Sequence, residues 1–304
     1  MKFSVQYLKD FFLQHKITVF LILGVLVLVI GGFFAYKKFI PAPKVEEVVE
    51  EHELSFDPAG AYALLIPRRD GHAINLDVKR VSDYSSFSYQ ITYSDDKGID
   101  RGAGSLDTWI NIKDGQNEFT QEILFGTCSK GDTSDPLHCV FDTGVENGTL
   151  ELHFKHITKV NSRLNKADVY KLTIPWHFQK PDVALGKLIS PDTHFKYTIL
   201  GSNSDLSVVG FSDINDLSGS PKLPSNKQVL GKVYALSIPL AKVLPKGTVS
   251  IELSDKPSLS AKIAEYVESQ NDWKILDTKI SGSTLTTGAD GAGIFAVFID
   301  SSSK

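Results

Sequence analysis

The hydrophobic pattern of this chain changes character along its length. Residues 17–36, ITVFLILGVLVLVIGGFFAY, carry no charge, and fourteen of these twenty positions are Leu, Ile, Val or Phe. At ~1.5 Å per residue a helix of this length covers ~30 Å, the thickness of a bilayer's hydrocarbon core, so the stretch predicts a transmembrane helix. It exceeds the apolar core of a cleaved signal peptide, about 7–15 residues, and no small-residue cleavage site follows it closely, so a retained signal-anchor is expected. Before it, Phe3, Tyr7, Leu8 and Phe11 recur at helical spacing and predict a short interfacial helix within the tail 1–16.

From residue 58 the period becomes two. Ile74, Leu76 and Val78 alternate with polar residues, as do Phe87, Tyr89, Ile91 and Tyr93, then Leu150, Leu152 and Phe154, then Val249, Ile251 and Leu253. Each run predicts a strand with one buried and one wet face, the habit of antiparallel sheets. Turn signals punctuate them: DDKG at 95–98, KDG at 113–115, NG at 147–148, PKG at 245–247 and ADGAG at 289–293. The last strand, Ile294 to Ile299, is apolar on both faces and is expected to be central. One segment reads as helical. In SDKPSLSAKIAEYVES, Asp255 can cap, Pro257 suits the first turn, and Leu259, Ile263, Tyr266 and Val267 share a face.

The predicted architecture is mainly β: a single transmembrane helix followed by two β-sandwich domains, with one short helix in the second. The expected segments are a tail at 1–16, the helix at 17–36, a Pro/Glu-rich spacer at 37–57, a sandwich at 58–178, a linker at 179–187 and a second sandwich at 188–304. One continuous β domain is the alternative. Pro41 and Pro43 end the helix, and Glu46, Glu47, Glu50, Glu51 and Glu53 read as a solvated tether. A calcium strip there lacks the turn glycine that such loops need.

Lysines do not orient the anchor, because Lys2, Lys9 and Lys16 before it balance Lys37, Lys38 and Lys44 after it. The two cysteines decide instead. Cys128 and Cys139 lie equally far from a polar turn centred between Thr133 and Ser134, which would set them opposite each other on a hairpin within disulfide reach. Free thiols, or a metal site using His138, are the alternatives. A disulfide implies an oxidising compartment, hence a cytoplasmic N-terminus and an extracytoplasmic β-region.

Net charge is −4, so no basic field attracts nucleic acid. No catalytic or cofactor motif is present, and no catalytic residue, cofactor or metal site is assigned. Glu151, His153 and Lys155 share a polar strand face, while His177 and His194 lie near the break between the halves. Asp213, Asn215 and Asp216 resemble a calcium loop, but the pattern fails at its fifth position, where Leu217 stands in place of Asp or Asn, so a turn is expected. Asp95, Asp96 and Asp100 read as a hairpin turn, and Asn147-Gly148-Thr149 is a glycosylation sequon. Trp109, Trp176 and Trp273 are candidate stacking platforms for a ligand such as a sugar, or else core anchors. Gly24, Gly31 and Ala35 fall on one face of the predicted span, a small-residue stripe through which the helix could self-associate.

The stretch WKILDTKISGSTLTTGADGAGIFAVF, Trp273 to Phe298, resembles the closing strands of Ig-like or ZU5-like sandwich modules of cell-surface proteins. LLIPRRDG through ENGTLELHF resembles β-modules of small anchored bacterial envelope proteins. The resemblance implies a surface or envelope role and carries no catalytic motif. The expected function is that of a single-pass, non-enzymatic envelope or surface protein in the cell membrane. Its partners would be the lipid bilayer and a protein or envelope polymer. An accessory subunit of a membrane assembly and a glycan-binding or glycan-cleaving protein are the other two readings.

Overall fold

The computed structural model describes Leu21 and residues 24–32, 46–128, 139–160, 164–180, 186–201 and 210–301. The predicted interfacial tail, much of the predicted span, Ala35, the two spacer prolines, His138, most of the linker and the tip of the cysteine hairpin lie outside the described residues. The chain divides into two compact units, Met1–Val48 with Lys159–Asn165, and Val49–Thr158 with Lys166–Lys304. In the first, Leu21 and residues 24–32 are helical. Among the described residues no helix is long and apolar enough to cross a membrane.

The other described residues form twenty strands. In the first half these are β1 (Glu46–Glu53), β2 (Tyr62–Pro67), β3 (Ala73–Lys79), β4 (Ser86–Ser94) and β5 (Asp100–Asn111). They continue with β6 (Glu118–Leu124), β7 (Gly126–Cys128), β8 (Cys139–Phe141), β9 (Asn147–Lys159) and β10 (Leu164–His177). The second half contributes β11 (Lys187–Ile189), β12 (Phe195–Ile199), β13 (Asp213–Leu217), β14 (Lys227–Ser237) and β15 (Gly247–Glu252). It ends with β16 (Lys262–Val267), β17 (Asp272–Ile275), β18 (Lys279–Ser281), β19 (Thr284–Ala289) and β20 (Gly293–Asp300).

The fold is mainly β, as the alternation predicts. In the first half the sheet β1-β10-β9-β4-β5 shares a core with the sheet β2-β3-β6: Phe87, Leu152, Phe154 and Trp176 from one, Leu65, Ile74 and Leu76 from the other. In the second, β11-β12-β15-β19-β18 shares a core with β13-β14-β20-β16-β17 through Phe195, Tyr197, Val249 and Ile251 against Tyr234, Leu236, Phe295 and Val297. β20 runs between β14 and β16, central as its two apolar faces require. Phe295 and Val297 face the second-half core, and Ile294, Ala296 and Phe298 face a third cluster.

That third cluster joins the halves. Tyr62 of β2 is buried with Leu217, Val233, Ala235, Trp273, Ala296 and Phe298, and Leu64 packs against them. Polar bonds reinforce this contact. Asn215 Nδ2 donates to the Ala63 carbonyl at 3.0 Å, Ser218 Oγ to the Ala61 carbonyl at 2.7 Å, and the Asp57 N–H to the Ser218 carbonyl at 2.9 Å. Glycine is needed at 219, where a Cβ would lie 2.3 Å from the Gly60 carbonyl oxygen. Both halves therefore belong to one compact unit with three apolar layers between four sheets.

Four expectations are corrected. The helix expected near 255–270 is instead strand β16, followed by a 3₁₀ turn at Glu268–Gln270. Ala261 and Ile263 enter one core while Ala264 and Tyr266 meet the other, so a period of two overrides a helical spacing. The acidic run is not a tether along its whole length, because Glu46–Glu53 is edge strand β1. Its neighbour β10 supplies complementary charge: Lys171 pairs with Glu51 at 2.7 Å and Lys166 with Glu50 at 3.0 Å. Asp213–Leu217 is strand β13 rather than a turn, drawn inside by Ile214 and Leu217. Gly148 lies inside β9 and not in a turn; a Cβ there would sit 2.1 Å from the Thr92 carbonyl oxygen and 2.4 Å from the Trp176 ring.

Candidate functional site

The contact between the halves buries Tyr62 and leaves a groove beside it. On β2, Ala63 and Leu65 face the first-half core while Tyr62, Leu64 and Ile66 face the second half. The outward row is apolar only on β2. Across the sheet, Tyr62 is registered with Lys79 and Lys79 with Glu118; Leu64 is registered with Asp77 and Asp77 with Thr120. Those polar residues bond to one another, with Lys79 Nζ 2.7 Å from Glu118 and 3.0 Å from Asp77, and Thr120 Oγ1 donating to Asp77 at 3.1 Å. The sheets pack tightly at Tyr62, whose hydroxyl is pushed up to about 12 by burial. Beyond it they part around a groove of about 490 Å³. Its floor is Leu64 and Ile66. Ile238, Leu240 and Tyr266 form the opposite wall, and Lys79 and Glu118 form a charged rim. Leu240 is 74% exposed, a large apolar side chain beside a groove that Glu268 and Asn271 also line.

A second cleft, of about 470 Å³, lies beside the cystine hairpin and holds Asp70, His72, Asp142, Glu146, His177 and Lys180. Most of these groups already bond within the protein. Asp70 accepts from Arg68 Nε at 2.9 Å and from the His72 N–H at 3.0 Å, and Asp142 accepts from the Tyr93 hydroxyl at 2.9 Å. His177 Nδ1 bonds to Asn147 Oδ1 at 2.5 Å, which engages the sequon asparagine. His72 stacks on Phe141 at 4.5 Å, and the Lys180 ammonium lies 4.7 Å from the Phe211 ring centre. Behind the cleft, Asp213 Oδ1 accepts the His177 N–H at 3.2 Å. Asp213 is fully buried, and loss of hydration pushes its carboxyl up to about 8 against the pull of the His177 and Ile214 amides.

The residues singled out from the sequence fall in separate places. Cys128 and Cys139 are registered directly opposite each other on β7 and β8, with Cα atoms 4.0 Å apart, and form a disulfide. Trp176 is buried against Phe125 and Phe178, and Trp273 against Tyr266 and Phe298, its Nε1 donating to the Lys222 carbonyl at 3.1 Å. Both are core anchors and present no face to a ligand. Trp109 is half-buried, with the Lys155 ammonium 4.2 Å over its ring. Gly24 and Gly31 lie on the described helix, where a Cβ would meet nothing within 4 Å.

His153 bonds Glu151 at 2.9 Å on the polar face of β9, as their shared parity predicts. Asp95 does make the expected turn: its Oδ1 accepts the amides of Ile99 and Lys97, which hold its carboxyl below the usual carboxylate range. A grouping not anticipated is Glu50, His52 and Asp168, whose ligand atoms all lie within 4.8 Å of one another. Bonds from His52 and Lys166 hold the Asp168 carboxyl below its ordinary value. The groove likewise has no local sequence signal. YALLIP reads as an apolar run, but which of its residues remain uncovered depends on a partner sheet built from residues 214–298.

No family model, curated protein or solved structure matches this chain.

Proposed function

We propose that this chain is a membrane-anchored, non-enzymatic binding protein whose extracytoplasmic β unit holds an extended segment of a partner protein in the groove between its two halves. The observation that carries this reading is the groove itself: partly buried Leu64, Ile66 and Ile238 and exposed Leu240 beside the charged pair Lys79–Glu118. A groove of mixed apolar and polar lining fits alternating apolar and polar side chains of an extended chain. The anchor is supported by the uncharged stretch 17–36 and by its described helical part. There Leu21 and every residue from Val25 to Ile30 are exposed, between 48% and 75%. A helix apolar all round needs an apolar surrounding, which a bilayer supplies. The Cys128–Cys139 disulfide supports an oxidising compartment for the β unit. The sheet-on-sheet layering fits the resemblance to Ig-like surface modules.

The test is a photo-crosslinking side chain placed at Leu240 in the full chain, expressed in its native membrane. One discrete protein adduct is expected, lost when Ile66→Asp is added, while a crosslinker at the exposed Asp107 of β5 gives none. An absent adduct, or one that survives Ile66→Asp, would overturn the proposal.

A further inference from the structure

We propose that Glu50, His52 and Asp168 form a binding site for one divalent transition-metal ion of the zinc type, clipping edge strand β1 to β10. The sequence places two of the ligands. In Glu-Glu-His on an extended strand, Glu50 and His52 are two residues apart and therefore project from one face. Asp168 of β10 is presented to that same face, and His52 Nε2 lies 3.1 Å from Asp168 Oδ1. Zinc takes imidazole nitrogen and carboxylate oxygen at about 2.0–2.2 Å, so tetrahedral ligand atoms stand ~3.3 Å apart. The donor atoms here, all within 4.8 Å of one another, can close on such an ion through side-chain rotation alone.

Two further contacts shape the site. The His52 ring packs on Tyr170, two residues along β10 from Asp168, with ring centres 5.3 Å apart. A braced ring keeps the imidazole from turning away. The Lys166 ammonium lies 3.0 Å from Glu50 Oε2 and 3.2 Å from Asp168 Oδ1, so the two carboxylates already converge on a cation. Lys166 is 40% exposed and its stem can swing into solvent. A metal ion would take its place and gain the imidazole as a third ligand.

The donor set selects the metal. Calcium takes six to eight oxygens, whereas one imidazole and two carboxylates suit zinc and its neighbours, with water completing the shell. The neighbouring residues Glu51 and Lys171 pair with each other at 2.7 Å rather than with this group. The consequence is mechanical: the ion would tie residue 50, just beyond the N-terminal unit, to a strand more than a hundred residues away.

Zinc titrated into the full chain in mild detergent, followed by calorimetry and by the histidine ring resonances, tests the site. One ion per chain is expected, with the His52 signals moving and those of His153 and His177 unmoved. His52→Ala should weaken binding at least about tenfold. Lys166→Ala, which removes the competing ammonium, should strengthen it, and His153→Ala should leave it unchanged. Absence of saturable binding, binding indifferent to His52→Ala, weakening by Lys166→Ala, or loss through His153→Ala would each overturn the proposal.

Discussion

Replacing Asp213 by Asn should flatten the pH dependence of stability. Asp213 is fully buried, and burial raises its carboxyl from an ordinary 3.8 to about 8 in the folded protein. A raised folded-state value means that the native state keeps a proton which the unfolded chain releases. The resulting stability is fully present below about pH 4 and falls as pH rises toward 8, at about 1.4 kcal/mol per pH unit. From pH 5 to 8 the wild type therefore loses roughly 4 kcal/mol through this one group. The Asp213→Asn variant keeps an oxygen to accept the His177 N–H but has nothing to ionise. Its amide N–H₂ replaces Asp213 Oδ2, which has no hydrogen-bond partner among the described residues, at a cost of about 1–3 kcal/mol. The variant should thus be the less stable protein at pH 5 and the more stable one at pH 8. Urea unfolding of both proteins at pH 5, 6, 7 and 8 measures the difference directly, since all other titrating groups are shared. A gap that stays constant across this range would refute the reasoning.

Replacing both cysteines by Ser should cost about 3 kcal/mol in the same urea assay, the loop-closure value for a bridge between residues 11 apart; unchanged stability would show that the hairpin is held by other contacts. Gly219→Ala places a methyl group 2.3 Å from the Gly60 carbonyl oxygen and should cost about 1–3 kcal/mol by lifting the segment around Asp57. Hydrogen exchange of the Asp57 amide, bonded to Ser218, should accelerate in that variant, and an unchanged rate would contradict the tight docking of the halves.

Strands with one core face and one wet face were legible in the sequence, because alternation encodes that arrangement directly: β3, β9 and β15 follow it, and β4 follows it from Ile91 onward, its Ser86 and Ser88 being buried. The cystine was legible because its residues sit symmetrically about a turn. Elements buried on both faces were harder. β16 carries small and large apolar residues on each side, and Ile263 and Tyr266 also satisfy a helical spacing. β1 resembles a tether in sequence because its stabilising charges, on Lys166 and Lys171, belong to a strand more than a hundred residues later. β13 contains Asp213 and Asn215, turn-formers that here bond to His177 and Ala63 of distant strands. The groove depends on where two sheets separate, and the spacing of residues within either sheet does not encode that.

Labelling of single cysteines by a membrane-impermeant thiol reagent in sealed native membranes tests the central claim most directly. Leu240→Cys places the thiol at the groove mouth, and Leu259→Cys places it at a position 86% exposed and outside the groove lining. With the β unit outside and the groove occupied, Leu259→Cys labels fully, whereas Leu240→Cys labels only after the protein is purified away from its partner. Equal labelling of both in the membrane would mean an empty groove, and no labelling of either would place the β unit on the other side; each contradicts the account.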